Sequence, residues 1–351
     1  GDSSIIAGLM KEVSDSKGKT NSRFTVGFKD LSEGKEAKET SDTLHTDHTE
    51  IAVSSEEYFE ALPKIIWHFD EPVADPSAVG LYFLAREARK KVKVVLSGEG
   101  ADELFGGYNI YLEPLSLSRA WMKFVPKFII EMIFLPLVKL KFNFKGKNYL
   151  KRYFSRLEDW YIGNASIFKK SEINKLWRGS QYEKFSLAGI YNKAARLSDS
   201  TKMQYIDINT WLIGDILAKA DKMTMANSLE LRVPFLDIKI AEFASKLPDS
   251  LKFIRKASKY LLRESVKTIV PESTRNRKKL GFPIPLRRWL TKDKISLYNR
   301  ITSNPYIQKK MNIAQIEKVI KDHIEGSNDN SRKIYLLLVL AIWYEIFFEH
   351  K

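Results

Sequence analysis

Apolar residues recur at helical spacing from the start of the chain. Ile5, Ile6, Leu9, Met10 and Val13 share one face, and Asp2 stands where a helix cap is wanted. The run Phe24 to Phe28 (FTVGF) predicts a short strand, with a polar loop from Lys29 to about Lys35. A helix is expected over Glu36 to Leu44 and a second strand over Glu50 to Val53. Ser55 to Trp67 reads as a helix with Tyr58, Leu62 and Ile66 on one side, and Ala78 to Lys90 as another. Val92 to Leu96 (VKVVL) is a strand apolar enough to be buried on both faces. Such alternation predicts an α/β fold, a parallel sheet with helices on both faces. Beyond Gly107 the signals are mostly helical and no run demands a sheet. Residues 1–110 therefore read as an α/β portion, and 111–351 as a mainly helical portion packed on it. The polar stretch Asn143 to Lys151 reads as a surface loop.

Two apolar runs need a decision. Phe128 to Val138 is broken by Glu131 and Pro136 and fringed by lysines, and Ile334 to Tyr344 is unbroken. Both fall short of the ~20 residues a bilayer requires, so no membrane span is expected and the second run predicts a buried C-terminal helix. No basic segment followed by an apolar core opens the chain, so a cytoplasmic protein is expected. Cysteine is absent, which excludes disulfides and a cysteine nucleophile on this chain. Lys and Arg outnumber Asp and Glu by 58 to 43, a net charge of +15 that favours anionic partners without choosing among them. Many of those cations lie between Leu251 and Leu290, where most should be solvated and some should raise the potential for polyphosphate. No aromatic platform accompanies them, so nucleic acid is not expected as a partner. His45, His48 and Glu50 have a spacing that could suggest metal, but they read better as scaffold.

The chemistry concentrates in Ser97-Gly98-Glu99-Gly100-Ala101-Asp102-Glu103-Leu104-Phe105-Gly106-Gly107-Tyr108, which starts where the strand Val92 to Leu96 ends. Ligands gather at the carboxyl ends of parallel strands, and small residues there let backbone N–H groups approach a nucleotide. Asp102 and Glu103 supply carboxylates that can hold Mg2+ on phosphate oxygens, and Glu99 is available to orient a substrate or take a proton.

This run closely resembles the signature of the synthetase domain of glutamine-hydrolysing asparagine synthetases. Asp215 to Asp237 (DILAKADKMTMANSLELRVPFLD), Ser258 to Glu264 (SKYLLRE) and Arg277 to Trp289 (RKKLGFPIPLRRW) resemble further blocks of that family, in its order. Asp70-Glu71-Pro72 with Ala74-Asp75-Pro76 is similar to the segment ahead of the glycine motif. The resemblance implies a pyrophosphatase-loop fold of the adenine nucleotide alpha-hydrolase type. It also implies a reaction in which ATP adenylates the side-chain carboxylate of aspartate, pyrophosphate leaves, and ammonia attacks to give asparagine and AMP. Related amidotransferases of antibiotic and surface-polysaccharide pathways share much of the pattern. Another acceptor carboxylate therefore stays open, as does a non-catalytic interaction module, against which the joint presence of Glu99, Asp102 and Lys259 argues.

Position by position, the resemblance makes Ser97 and Gly98 nucleotide contacts and Val26 a contact to adenosine. It makes Glu99 the base for the attacking ammonia, Asp102 a ligand of magnesium pyrophosphate and Lys259 the cation that steadies pyrophosphate. Ser258 is a candidate helix cap, which would put Lys259 in a first turn, a natural anion site. Lys219 falls where a basic residue near the phosphates is common, and Glu230 with Arg232 would pair as buried charges near the aspartate site. The family's loop Ser-Gly-Gly-x-Asp-Ser-Ser is represented here only by Asp2, Ser3 and Ser4 after Gly1. Asp2 would be a magnesium ligand, and Ser3 and Ser4 ATP contacts. The strand ahead of that loop and the N-terminal glutaminase domain that would supply ammonia are expected in a longer parent. Weakened ATP binding, up to loss of activity, is expected of this chain by itself. A homo-oligomer is compatible with the sequence, which does not fix the state.

Overall fold

The protein's structure is a computed structural model describing residues 2–16, 21–29, 41–43, 46–118, 151–179, 186–254, 258–270, 272–275, 284–291 and 295–349, with positions 132 and 136. Most of the helix expected over Glu36 to Leu44, almost all of the run Phe128 to Val138, most of Asn143 to Lys151 and His45 lie outside the described residues.

Helix α1 (Asp2–Asp15) buries Ile5 and Ile6 against Val266 and Val270. Leu9 and Val13 of its expected apolar face stay exposed, at 44% and 58%, because the helix meets this packing only over its first turns. Strand β1 (Ser22–Phe28) pairs in parallel with β2 (Asp47–Val53), from Ser22 opposite Asp47 to Phe28 opposite Val53. Both exceed the apolar runs that predict them, since the ladder also engages the polar residues at their starts. Helix α2 (Ser55–Phe69) begins with a capping box: Glu57 N–H donates to Ser54 Oγ and Ser54 N–H to the Glu57 carboxylate. It buries Tyr58, Leu62, Ile65, Ile66 and Phe69, and stops at Asp70, whose backbone turns left-handed. Tyr58 O–H donates to Pro76 O at 2.9 Å, tying the Asp75–Pro76 segment to the core ahead of α3 (Ser77–Ala88).

Strand β3 (Val94–Leu96) leads into the short helix α4 (Ala101–Phe105). Farther along come α5 (Asp199–Asn209), a π-helical turn over Leu212–Leu217, α6 (Ala218–Met225) and β4 (Glu230–Arg232). β4 pairs in parallel with β3, Val94 opposite Glu230. The fold is mixed α/β with parallel strands, but among the described residues the expected single sheet is two separate two-stranded sheets. One of their strands comes from the stretch read as mainly helical. Val94 and Leu96 are exposed at 43% and 37%, not buried on both faces. Helix α3 and Leu229 cover the side of Val92 and Val95, and among the described residues β3 is hydrogen-bonded along one edge alone. Glu230 and Arg232 do pair, at 2.7 Å, but as exposed side chains, because they stand on this short outer pair of strands.

Helix α7 (Tyr260–Ser265) and the C-terminal α8 (Ser331–Tyr344) complete the frame of the site. Helix α8 buries Ile334, Tyr335, Leu337, Leu338, Val339, Ala341 and Ile342 in the cluster that also holds β1, β2, α2 and α3. Among the described residues no helix is long and apolar enough to cross a membrane.

A buried carboxylate organises the packing behind α4. Asp207 on α5 accepts from Tyr111 O–H at 2.6 Å, from Tyr161 O–H, from Asn164 Nδ2 at 2.8 Å and from Asn164 N–H at 3.0 Å. Burial raises its pKa even so, although each of these donors pulls the other way. Asp207→Ala leaves those donors without an acceptor, so a loss of about 3 kcal/mol is expected in a denaturant-unfolding midpoint series.

Candidate functional site

The glycine-rich turn follows directly from the strand pairing. Ser97 N–H donates to Arg232 O at 2.9 Å as the last rung of β3–β4, and the chain then turns into α4. Gly100 (φ 85) and Gly106 (φ 73) bracket α4 in the left-handed conformation that favours glycine. A cavity of about 810 Å³ opens beside this turn. Of the predicted residues, Asp2, Ser3, Ser97, Gly98, Glu99, Asp102, Lys219 and Lys259 line it. Ser4 and Val26 do not: Ser4 is buried and accepts from Arg23 Nη2 at 3.3 Å, and the Val26 side chain lies in the core beneath β1.

Lys259 is the electrostatic centre of the cavity. Its ammonium lies 2.6 Å from Asp2 Oδ1 and 2.6 Å from Asp102 Oδ1, joining the start of α1 to the first turn of α4. Burial disfavours that charge, yet the two carboxylates outweigh burial and hold its pKa above the ordinary lysine value. The expected helix-cap geometry is not observed. Lys259 precedes α7 in the left-handed region (φ 55), and no Ser258 side chain caps the helix. The lysine is therefore aimed by a strained backbone residue rather than by a first helical turn. A Cβ on Gly98 would sit 2.7 Å from Asp2 Cβ and 2.9 Å from Ser3 N. On Gly107 it would fall on the Asp102 carboxylate and the Lys259 side chain. Both glycines thus clear the space in which α1, α4 and Lys259 meet. Gly98→Ala is expected to cost about 1–3 kcal/mol by pushing α1 away, measurable as a lower thermal midpoint.

Glu99 accepts a hydrogen bond from Ser97 Oγ, which orients its carboxylate at the cavity wall. Asp2 and Asp102 already flank one cation, and two hard carboxylates beside substrate phosphates are the usual setting for magnesium. These residues fit a magnesium ion carried by a nucleotide. Among the described residues no group of three or more His, Cys, Asp or Glu could hold a metal alone, and His48 faces Thr25 Oγ1 at 3.0 Å across β1–β2.

In the same cavity Lys219 is turned to a carboxylate and a hydroxyl. Its ammonium donates to Asp75 Oδ2 at 2.6 Å and to Ser77 Oγ at 2.9 Å. Ser77 N–H and O–H both donate to Asp75 Oδ1 at 2.8 Å. Burial works against both charges, but each holds the other ionised: Asp75 falls below, and Lys219 rises above, its ordinary pKa. Asp215, on the π-helical turn, is pushed up to about 6 by burial and by the neighbouring Asp75 charge, against the pull of Lys219. A carboxyl raised from 3.8 lends stability below that pH and loses it as pH rises through about 6. Asp215→Asn is therefore expected to match the wild type in acid and to exceed it at neutral pH by on the order of 1 kcal/mol, checked by denaturation across a pH series.

Asp75, Ser77, Glu103, Tyr108 and Trp211 also line the cavity, and sequence reasoning gave none of them a specific role there beyond Glu103 as a carboxylate. Asp75 stood inside a quoted segment, and only its contact with Lys219, 144 positions away, singles it out. Arg263, Arg275 and Arg287 from the basic stretch reach the cavity wall, and Arg332 joins them from α8. Lys252 of that stretch is instead buried at 3% exposure, donating to Gln204 Oε1 at 3.2 Å. Gln204 Nε2 in turn donates to the carbonyls of Glu103 and Leu104 at 2.7 and 3.2 Å, fixing the end of α4.

The asparagine synthase family model matches residues 2–345. The chain is 45% identical over 355 residues to asparagine synthetase [glutamine-hydrolyzing] 1 of Bacillus subtilis (strain 168), a match covering 100% of this chain and 55% of that protein. It is 42% identical over 333 residues to a protein of Mycobacterium tuberculosis (strain ATCC 25618 / H37Rv) provisionally described as an asparagine synthetase [glutamine-hydrolyzing], covering 93% of this chain and 51% of that one. The chain thus spans about half the length of these curated relatives. With Glu99, Asp102 and Lys259 gathered at one cavity and a match running nearly end to end, the chain belongs to the asparagine synthase family.

Proposed function

We propose that this chain carries the ATP-dependent, amide-forming half-reactions of an asparagine synthetase. The observation that carries this reading is the convergence of Asp2 and Asp102 on Lys259 beside Glu99, in a cavity of about 810 Å³. That volume lies within the roughly 300–1,000 Å³ of small-molecule sites. The expected architecture is the adenine nucleotide alpha-hydrolase type, with the nucleotide seated at the carboxyl end of β3 against Ser97 and Gly98.

In the first step a carboxylate oxygen of aspartate attacks the α-phosphorus of ATP, forming the acyl-adenylate as the bond to pyrophosphate breaks. Magnesium at Asp2 and Asp102 would draw negative charge off the phosphate oxygens. Lys259, held charged by its carboxylates, offers a fixed cation to the departing pyrophosphate. Ser3 and Lys219 stand at the same cavity as further candidates for phosphate contacts, Lys219 on condition that it leaves Asp75. In the second step ammonia attacks the acyl carbon, the C–N bond forms as the bond to AMP breaks, and the released proton passes to Glu99. Ser97 keeps that carboxylate aimed at the cavity. The ammonia would come from glutamine hydrolysis, the activity carried in the names of the curated relatives.

The test is pyrophosphate and AMP release with ATP, magnesium and ammonium, with and without aspartate, by this chain beside a version extended upstream through a complete loop. Aspartate-dependent release supports the reading. Turnover of ATP that ignores aspartate moves the reaction to another acceptor.

A further inference from the structure

Next to the Lys219–Asp75 pair the cavity has an aromatic corner. Tyr108 and Trp211 both line it, their ring centroids 5.0 Å apart and their planes 35° from parallel. Each ring is pinned at its polar edge by a carboxylate. Tyr108 O–H donates to Glu103 Oε1 at 2.7 Å, and Trp211 Nε1–H donates to Asp215 Oδ2 at 2.6 Å. A carboxylate on the indole N–H pushes electron density toward the ring and leaves its face more attractive to a cation.

The charges behind that corner do not balance. Lys219 is committed to Asp75 and Ser77, and Asp75 has both oxygens engaged. Asp215 Oδ1 is cut off from solvent, and among the described residues its carboxyl meets the carboxyl of Asp75 rather than an N–H donor, so two acidic groups share one buried corner. A buried carboxylate oxygen left in that condition costs stability and calls for a reason. It stands on a π-helical turn, a backbone irregularity that recurs at functional sites. Glu99 lies within electrostatic reach of Lys219 and adds a further negative charge to the same wall.

We propose that the Tyr108–Trp211 corner, backed by the Asp215 carboxylate, is a subsite for an ammonium group of the substrates. This inference rests on the amide-forming reading above. That reaction offers two such groups: the α-ammonium of the amino-acid acceptor, and the ammonium ion that delivers the nucleophile. Either would face the Trp211 ring with the Asp215 charge behind it. The Arg263, Arg275, Arg287 and Arg332 side chains on the cavity wall suit carboxylates and phosphates instead.

The experiment uses the full chain with magnesium and a non-hydrolysable ATP analogue, and titrates L-aspartate, succinate and ammonium chloride by calorimetry, with sodium chloride as the ionic-strength control. Succinate keeps both carboxylates of aspartate and lacks its ammonium. Wild type is expected to prefer aspartate to succinate by about tenfold or more, and Asp215→Asn to abolish that preference while leaving succinate binding unchanged. Trp211→Leu, which removes the ring, should reduce the same preference. Trp211→Phe, which keeps a ring, should retain most of it. If the ammonium ion is the occupant, aspartate binding survives in Asp215→Asn and the ammonium-specific signal disappears. An Asp215→Asn protein that keeps its fold, its aspartate-over-succinate preference and its ammonium response overturns the subsite. Failure of the reaction itself is read separately: with no aspartate-dependent pyrophosphate release from a version extended upstream through a complete loop, the amide-forming reading falls and the ammonium titration alone decides the subsite.

Discussion

Replacing Glu99 by Gln separates the two halves of the reaction. The first turnover is expected to release pyrophosphate at close to the wild-type rate, because adenylation draws on Asp2, Asp102 and Lys259 and needs no proton acceptor. Amide formation then stalls. A positioned general base contributes roughly 100- to 10,000-fold, and the glutamine keeps the contact with Ser97 Oγ while losing the ability to take the proton. Rapid-quench kinetics should therefore show a pyrophosphate burst followed by steady turnover slowed by about that factor. Equal slowing of burst and steady state would remove Glu99 from the second step and assign it to substrate binding.

Lys259→Met acts on the first step and on the fold together. Removing one preorganised charge from a transition state costs about 100- to 1,000-fold, so the pyrophosphate burst itself should slow by that order. The same change takes from Asp2 and Asp102 the cation they share, and Lys259 has only 6% of its surface exposed. A drop in thermal midpoint is therefore expected alongside the kinetic loss. The lysine contributes stability while charged, and its pKa is raised. The deficit should thus be constant through neutral pH and begin to close only above the ordinary lysine value of 10.5. Magnesium in excess is expected to restore part of the stability, by taking the cation position between the carboxylates. A variant with wild-type burst kinetics would exclude the lysine from pyrophosphate departure.

The local pattern of the sequence anticipated the elements well where side chains alone decide them. Helix α2 was legible from its apolar face of Tyr58, Leu62 and Ile66, while its capping box and left-handed stop at Asp70 emerge from the structure. The buried α8 is equally legible in its unbroken apolar run. Strand β4 was not, because Glu230, Leu231 and Arg232 carry no strand signature. They become a strand only through hydrogen bonds to Val94–Leu96, more than a hundred positions earlier. Exposure failed for a related reason. The apolarity of Val94 and Leu96 predicts burial, but a strand paired along one edge leaves them half open.

The site divides in the same way. Glu99 and Asp102 were legible because the glycine motif holds them in one short turn. Lys259 came from the resemblance, and its left-handed backbone has no sequence signal. The wall around Lys219 needed the fold: Asp75, Ser77, Trp211 and Asp215 belong to two segments far apart in the chain, and only their packing makes a charge cluster. Ser4 shows the converse, a residue that matches a loop motif and yet turns to Arg23 rather than the cavity.

The central claim is that this cavity joins AMP to a carboxylate before an amine displaces it. Aspartate labelled with heavy oxygen in its side-chain carboxylate, incubated with the protein, ATP, magnesium and ammonium, tests it most directly by mass spectrometry of the products. The account predicts that a labelled oxygen is carried into AMP as asparagine forms. Label in inorganic phosphate, or AMP free of label, would contradict it.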